Sequence, residues 1–163
     1  MNAGIGFNEL LRWIGDETDR YERWFASQAE SVWSIPVGGE RISTIKDLLH
    51  HVYAVDLRLA QRVHGSPIAS DAEVAASDAA GLFALARRGQ ALLASGLTNA
   101  GNLEEMIAWQ TMAGGRIQAS KRKVIAHAIT HHLRHFAQVA TLLRLHGHPT
   151  DWHHDLLASG ALV

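Results

Sequence analysis

The chain has 163 residues, of which 47% are hydrophobic and 19% charged, and its net charge at pH 7 is −1. These values predict one ordinary globular domain over 1–163 that is long enough to bury a core. Cysteine is absent, which excludes disulfides, thiolate metal sites and cysteine nucleophiles, so a metal site would use histidine, carboxylate or water. The start of the sequence lacks the basic region of a secretory signal, and no apolar run reaches the roughly 18 residues of a membrane span. We therefore expect a cytoplasmic protein.

Two helices are predicted in the first part of the chain. Apolar residues at helical spacing predict the first over about 7–32, and a loop with one proline and two glycines follows it. Thr44 with Asp47 three residues later has the spacing of a capping box, which predicts that the second helix begins there. It is predicted to run to about His64, because the sequence GSP at 65–67 stops it.

The second part predicts two more helices with a long connection between them. The third helix is expected within 71–95, starting near Ser77. Residues 96–119 read as a connection that holds a small hairpin around a Gly-Gly turn. The fourth helix is predicted to follow Ser120 as its N-cap and to end before Gly147. The fold class expected from four long helices is all-α, with a four-helix bundle as the architecture.

Residues 127–138, which read HAITHHLRHFAQ, contain four histidines. Residues four apart on a helix differ by only about 40° in direction, so His127, His131 and His135 form one row. His132 lies about 100° away from His131 on the same helix. Histidines at i and i+4 on one face can bind the same metal ion, which makes the row a candidate metal site.

The second helix offers the third ligand that a catalytic zinc site needs. Its apolar arc is formed by Ile45, Leu48, Leu49, Val52, Val55, Leu59 and Val63. His51 lies at the edge of this arc, whereas His50 lies outside it and is expected to face solvent. His51 is thus the better third ligand, while His127 could replace His135 or lie one turn beyond the site. Asp56 lies inside the arc, so we expect it to be paired or hydrogen-bonded, with a ligand histidine as one candidate partner.

Other features of the chain allow both a functional and a purely structural interpretation. No acidic residue occurs over 106–150, whereas six basic residues do. The positive charge of this stretch could attract anionic ligands, or the stretch could form a solvated face. Nucleic-acid binding is a third functional hypothesis, based on the basic sequence SKRK at 120–123. It is the weakest of the three. The histidines near the C-terminus are expected at the surface: His146, His148, His153 and His154. The apolar arc of the fourth helix is wide enough for burial within the monomer or for a dimer interface, and it comprises Ile125, Ile129, Leu133, Phe136, Ala140 and Leu143.

Three short motifs resemble those of the DinB/YfiT-like superfamily of metal-dependent enzymes over about 5–157. LLHHVYAVD at 48–56 matches the family's LLxH followed by an acid. HHLRHFAQ at 131–138 matches HxxxHRGQ, and GHP matches the end of the fourth helix. The sequence departs from the family where Phe136 and Ala137 replace Arg-Gly, which puts any role of that arginine in doubt.

The resemblance implies a fold, a metal site and an activity class. The fold would be a bundle of up-down-down-up topology, commonly homodimeric. The metal ligands would be His51, His131 and His135, holding zinc or nickel, with iron or manganese as alternatives. Some relatives are S-transferases or isomerases that use bacillithiol, mycothiol or glutathione. The polymerase that shares the family's name is not similar to this chain.

Two functional hypotheses follow. The first is a metal-dependent enzyme of the thiol-dependent S-transferase or hydrolase type, acting on a small molecule with a low-molecular-weight thiol. The second is a non-enzymatic, stress-associated bundle in which the metal is structural or absent. The number of protein ligands discriminates between them, because catalytic zinc typically has three and structural zinc four.

Overall fold

A computed structural model of the protein describes residues 4–99, 101–111 and 114–160. The described part is mostly helical, as predicted, and it also contains a two-stranded antiparallel sheet, so the all-α prediction was incomplete. Its elements in chain order are α1 (Phe7–Ala26), α2 (Ile45–His64), α3 (Ala79–Asn99), β1 (Met106–Gln110), β2 (Arg116–Ser120) and α4 (Lys121–Leu145).

Helix α1 ends earlier than the apolar periodicity predicted. It stops at Ala26, where the Ser27 amide donates to the Trp24 carbonyl at 3.0 Å. A 3-10 helix then covers Glu30–Ser34 and buries Val32 against the core. The apolar spacing therefore continues through a change of direction, which is why the sequence predicted one helix to residue 32.

The ends of α2 and α4 are as predicted. The Asp47 amide donates to the Thr44 hydroxyl at 3.1 Å, and the Thr44 amide donates to the Asp47 carboxylate at 3.0 Å. Gly65 ends α2 with a φ of 67° in the left-handed region, which favours glycine. Ser120 caps α4 by accepting from the Lys123 amide at 3.2 Å. Each helix thus begins at its capping residue, as its local sequence signal indicates.

The predicted hairpin is present, and it leads directly into α4. Helix α3 extends to Asn99, so the connection is shorter than 96–119. Strands β1 and β2 pair antiparallel, with Met106 opposite Ser120. Gly114, with a φ of 83°, belongs to the turn between them. Because Ser120 ends β2 and also caps α4, the hairpin fixes where α4 starts.

Helices α2 and α3 run in the same direction, and α1 runs against α3. The Tyr53 and Phe83 ring centroids lie 6.0 Å apart, and ten residues further along α2 a Cβ on Gly96 would lie 3.2 Å from Val63. Because these contacts advance towards the C-terminal ends of both helices, α2 and α3 are parallel. Between α1 and α3 the order reverses: Gln90 donates to Thr18 at 2.7 Å, and Arg87, earlier in α3, pairs with Glu22, later in α1.

The core lies between these helices. Side chains of α2 fill its centre, with Leu48, Leu49, Val52 and Leu57 at most 2% exposed. Burying apolar surface of this kind is the main favourable contribution to folding. In the described ranges, no helix combines the length and the apolarity that crossing a bilayer would need.

Gly89 tests how closely α3 packs on α2. A Cβ at this position would lie 3.1 Å from the Leu57 backbone nitrogen, and backbone cannot move aside as a side chain can. We expect Gly89→Ala to lower the free energy of unfolding by about 1–2 kcal/mol, because overpacking outweighs the better helix propensity of alanine. Urea denaturation followed by circular dichroism measures the change.

Gly15→Ala is the matched control. Gly15 also lies inside a helix, but its added Cβ would meet only a side-chain oxygen of Gln90 at 4.0 Å. This variant should gain up to about 1 kcal/mol from helix propensity alone. Equal stabilisation by both substitutions would contradict the close packing of α2 on α3.

Candidate metal centre

Helices α2 and α4 bring three predicted ligands together. One ring nitrogen from each of His51, His131 and His135 lies within 4.8 Å of the other two. The Nε2 atoms of His51 and His131 are 3.2 Å apart. The ring centroid of His135 lies 4.5 Å from that of His131 and 5.4 Å from that of His51. The three side chains therefore converge on one point between the two helices.

The arrangement fits a divalent metal ion. Two nitrogens bound to one zinc ion at about 2.05 Å with tetrahedral angles lie about 3.3 Å apart. The observed Nε2 separation of 3.2 Å between His51 and His131 matches this value. In the described part of the chain, no fourth histidine, cysteine or carboxylate joins the cluster. Three protein ligands leave a coordination position open, as in catalytic zinc sites.

The environment keeps the three imidazoles neutral, the form that binds metal. Burial lowers the pKa of His131 to about 3, helped by the neighbouring charges of His135 and His51. Burial, followed by the charge of His135, also lowers the pKa of His51. The pKa of His135 is lowered by burial as well, although its hydrogen bond to Gln138 opposes the shift. The site is therefore ready to accept a cation at neutral pH.

Gln138 orients one of the three clustered histidines. It lies three residues after His135 on α4 and accepts a hydrogen bond from the His135 Nδ1 at 2.5 Å. This bond places the proton on Nδ1 and leaves Nε2 of His135 for an ion. The sequence analysis assigned no role to Gln138, the last residue of HHLRHFAQ; its i, i+3 spacing from His135 is the signal that could have found it.

Two arginines make the surroundings of the centre basic. The Arg134 Nη2 lies 3.5 Å from the His135 Nε2. The charges of Arg134 and Arg41 are also among the causes that lower the pKa of His51, after burial and the other histidines. Arg134 belongs to α4, and Arg41 to the segment before α2. This positive charge favours an anionic ligand at the centre.

Asp56 and His132 connect α2 to α4 beside the ligands. The His132 Nδ1 donates to the Asp56 carboxylate at 2.6 Å, and the residues are 0% and 2% exposed, respectively. Burial raises the pKa of Asp56, while the charge of His132 and its hydrogen bond act in the opposite direction. The predicted hydrogen bond of Asp56 is confirmed, but its partner is His132 and not one of the three clustered histidines.

Two other histidines lie outside the cluster. His127 is exposed, and its ring centroid is 5.7 Å from that of His131, so it occupies the turn beyond the cluster. His50 was expected to face solvent, and this was wrong. It is half-buried, and its Nε2 lies 2.8 Å from the Val74 carbonyl oxygen. The segment between α2 and α3 folds back over this side of α2, which the helical periodicity of α2 alone could not reveal.

The C-terminal histidines are not all surface residues. His146 and His153 are exposed, as expected. The His154 Nδ1, however, donates at 2.6 Å to Glu17, which is only 3% exposed. The Trp152 indole donates to the same carboxylate at 3.2 Å. The segment after α4 thus docks on α1 through a buried acid, whose place among the buried residues of α1 was the available signal.

The basic start of α4 is partly neutralised by acids that precede β1. Lys121 pairs with Glu105 at 2.7 Å, and Arg122 pairs with Glu104 at 3.0 Å. The acid-free stretch begins at residue 106, so the hairpin brings the last acids before it back to the start of α4. This pairing weakens the argument for a nucleic-acid site at SKRK.

The chain matches a known protein family. The model of the DinB family matches residues 1–158 of the chain. A search of curated proteins found no match.

Removing the Asp56 carboxylate should destabilise the fold. In Asp56→Ala the buried His132 loses its hydrogen-bond acceptor, so the free energy of unfolding should fall by about 3 kcal/mol. Urea denaturation of the metal-free protein measures this. Asp19→Ala, which removes an exposed carboxylate of α1, should change it by less than about 0.5 kcal/mol. A loss below about 1 kcal/mol in Asp56→Ala would contradict the importance of the buried pair.

The stability of the metal-free protein should depend on pH below about 6.5, the ordinary pKa of histidine. Since the folded state lowers the pKa values of His51, His131 and His135, the unfolded chain binds more protons in this range. The free energy of unfolding should therefore fall as the pH falls from 6.5 towards 5, by at most about 1.4 kcal/mol per pH unit for each histidine.

Urea unfolding with a chelator at several pH values tests this slope. His131→Gln should reduce it, because the histidine with the pKa of about 3 is removed. His127→Ala, in the exposed histidine outside the cluster, should leave it as in the wild type. A slope that is the same in all three proteins would show that the cluster is not its origin.

Proposed function

The chain belongs to the DinB family, and from this membership together with the geometry of its histidines we propose that it is a metal-dependent enzyme. The ligands would be His51, His131 and His135, and the bound ion would be zinc or nickel, with iron or manganese as alternatives. Three neutral imidazoles suit several of these ions, and the absence of cysteine disfavours a thiolate-selective site.

A single observation supports an enzyme over a structural metal protein. The described residues supply three ligand nitrogens within 4.8 Å of one another and no fourth protein ligand. A structural zinc site is normally closed by four protein ligands, whereas a catalytic one keeps a position for water or substrate.

The metal ion and the residues around it would have different roles in the reaction. A divalent ion lowers the pKa of the water or thiol that it binds and so supplies a nucleophile at neutral pH. Gln138 holds the His135 ring in the tautomer that presents Nε2. Arg134 and Arg41 would attract an anionic reactant and stabilise negative charge that develops near the histidines.

The reaction class that we propose is thiol-dependent S-transfer or hydrolysis. The protein has no thiol of its own, so S-transfer would use a low-molecular-weight thiol from solution. Such thiols become nucleophilic as thiolates. The basic surroundings of the centre, which include Arg134, support binding of a thiolate and of other anionic groups on the cosubstrate.

The alternative is a non-enzymatic metal-binding protein, and one observation favours it. Asp56 is a carboxylate beside the centre, and its charge contributes to the pKa of His135 after burial and the Gln138 hydrogen bond. Asp56 is 2% exposed and its Oδ2 accepts from the buried His132, so burial keeps it from acting as a general base on a substrate. A protein without a base at the centre could hold its metal only for stability.

We also propose an up-down-down-up topology, a homodimer and a cytoplasmic location. The helix directions support the first. Helices α2 and α3 run together, and α1 runs against α3. Helix α4 runs against α2, because core residues within 48–57 share one cluster with those within 136–143, whereas core residues within 59–63 share another with those within 124–129. The family resemblance supports the dimer. The apolar arc of α4 does not, because Ile125, Ile129, Phe136 and Leu143 are at most 4% exposed within the chain itself. Analytical ultracentrifugation would measure the oligomeric state.

Metal content tests the site. Tag-free protein purified without a nickel column should carry about one divalent ion per chain, measured by elemental analysis. His131→Ala should lose it while remaining folded. His127→Ala is the matched control, one turn away on the same helix and outside the cluster, and it should retain the ion. Equal metal content in all three proteins would place the binding elsewhere.

Activity tests the enzyme proposal. Metal-loaded wild type should accelerate transfer of a thiol to an electrophilic acceptor, assayed with glutathione, bacillithiol and mycothiol. His51→Ala should reduce the rate to the uncatalysed level. If the wild type holds one ion, melts at a lower temperature when the ion is removed, and accelerates neither thiol transfer nor hydrolysis, the metal is structural and the alternative is correct.

A further inference from the structure

A cavity lies away from the three histidines, between α2, the segment that joins α2 to α3, and β1. Its volume is about 520 Å³. The apolar part of its wall is formed by Val55, Leu59, Ile68, Ala69 and Trp109. The charged part is formed by Arg58, Arg62 and Asp71. We propose that this cavity binds a small organic anion with an apolar body and one carboxylate, sulfonate or phosphate group.

The charges of the cavity wall leave one cation without a carboxylate partner. Arg58 is engaged, since its Nη2 pairs with Asp71 at 2.6 Å and its Nε donates to the Ala69 carbonyl at 3.0 Å. Arg62 donates from Nη1 to the Arg58 carbonyl at 3.0 Å. Among the described residues, no carboxylate pairs with Arg62, and its buried Nε has no acceptor. The wall therefore carries a net positive charge that a ligand could neutralise.

The guanidinium of Arg62 is already held in place. It lies over the Trp109 ring, with its central carbon 5.3 Å from the ring centroid. This cation–π contact and the bond to the Arg58 carbonyl fix the orientation of the side chain. A ligand would therefore lose less conformational entropy in ordering it. Burial, and after it the charge of Arg58, lowers the pKa of Arg62, and an anion in the cavity would oppose both effects.

The apolar wall selects the body of the ligand. Val55 and Leu59 project from α2, Ile68 from the segment after it, and Trp109 from the hairpin. A flat or branched apolar group can contact all of them while its anionic group reaches Arg62. Ligand sites commonly combine an apolar lining with a few fixed polar groups in this way. An inorganic anion would leave the apolar wall uncovered, so an amphipathic ligand fits better.

The cavity begins close to the three histidines but does not include them. Val55 is one helical turn beyond His51, or about 6 Å along the axis of α2. No histidine of the cluster contributes to the wall of the cavity. The binding site proposed here is thus independent of whether the histidines hold a metal ion.

A pair of fluorescent probes tests the proposal on the full-length protein. Anilinonaphthalene sulfonate has an aromatic body and one anionic group, and phenylnaphthylamine is its neutral counterpart. The sulfonate should bind saturably, at one site per chain, and more tightly than the neutral amine. Arg62→Met should weaken sulfonate binding by about tenfold or more and leave amine binding unchanged. Arg88→Met, which removes an exposed arginine of α3, is the matched control and should bind both probes as the wild type does.

Variants of Ile68 keep the test valid if Arg62→Met folds poorly. Ile68 is 42% exposed at the edge of the cavity, so it tolerates a charged residue. Ile68→Glu should weaken sulfonate binding, and Ile68→Lys should strengthen it, because only the sign of the local charge differs. Equal sulfonate affinity in Ile68→Glu, Ile68→Lys and the wild type would overturn the proposal. So would loss of sulfonate binding in His51→Ala, which would place the anion at the histidine centre.

Discussion

The hydrogen bond between Asp56 on α2 and His132 on α4 is the interaction on which the candidate centre depends. It is buried, and its length of 2.6 Å fixes how far the two helices are rotated and shifted relative to each other. His131 is the residue before His132, and His51 lies five residues before Asp56, so both clustered histidines follow any movement of this pair. A displacement of one residue along either helix would separate the ligand nitrogens and leave a buried polar group without its partner, which is costly.

The helix packing around this pair supports the same register. Gly89 allows α3 to approach the backbone of α2 at Leu57, the residue after Asp56. The hairpin sets the first turn of α4, because Ser120 ends β2 and caps the helix. Helix α2 is thus held from the α3 side and α4 from its N-terminus. The two helices that carry the three histidines are therefore each fixed by packing or capping contacts, as a precise metal site would require.

The features predicted correctly from the sequence depend on local or periodic signals. Thr44 and Ser120 mark helix starts because capping uses residues three apart, and His131 and His135 share a face because they are four apart. The end of α1 was missed because Val32 keeps the apolar spacing after the α-helix has stopped. The docking of His154 on Glu17 was missed for a different reason, since it joins residues far apart through a segment with almost no periodic structure.

The neighbouring residues His131 and His132 show where local signals stop being sufficient. Both are buried and of the same type, yet they differ in role because about 100° of helix rotation separates them. His131 meets His51 across the gap and loses its proton readily, since burial and other histidines lower its pKa. His132 meets Asp56, which accepts a hydrogen bond from it. What each histidine does is decided by the residue that faces it on α2, and that pairing is fixed by the packing of the two helices.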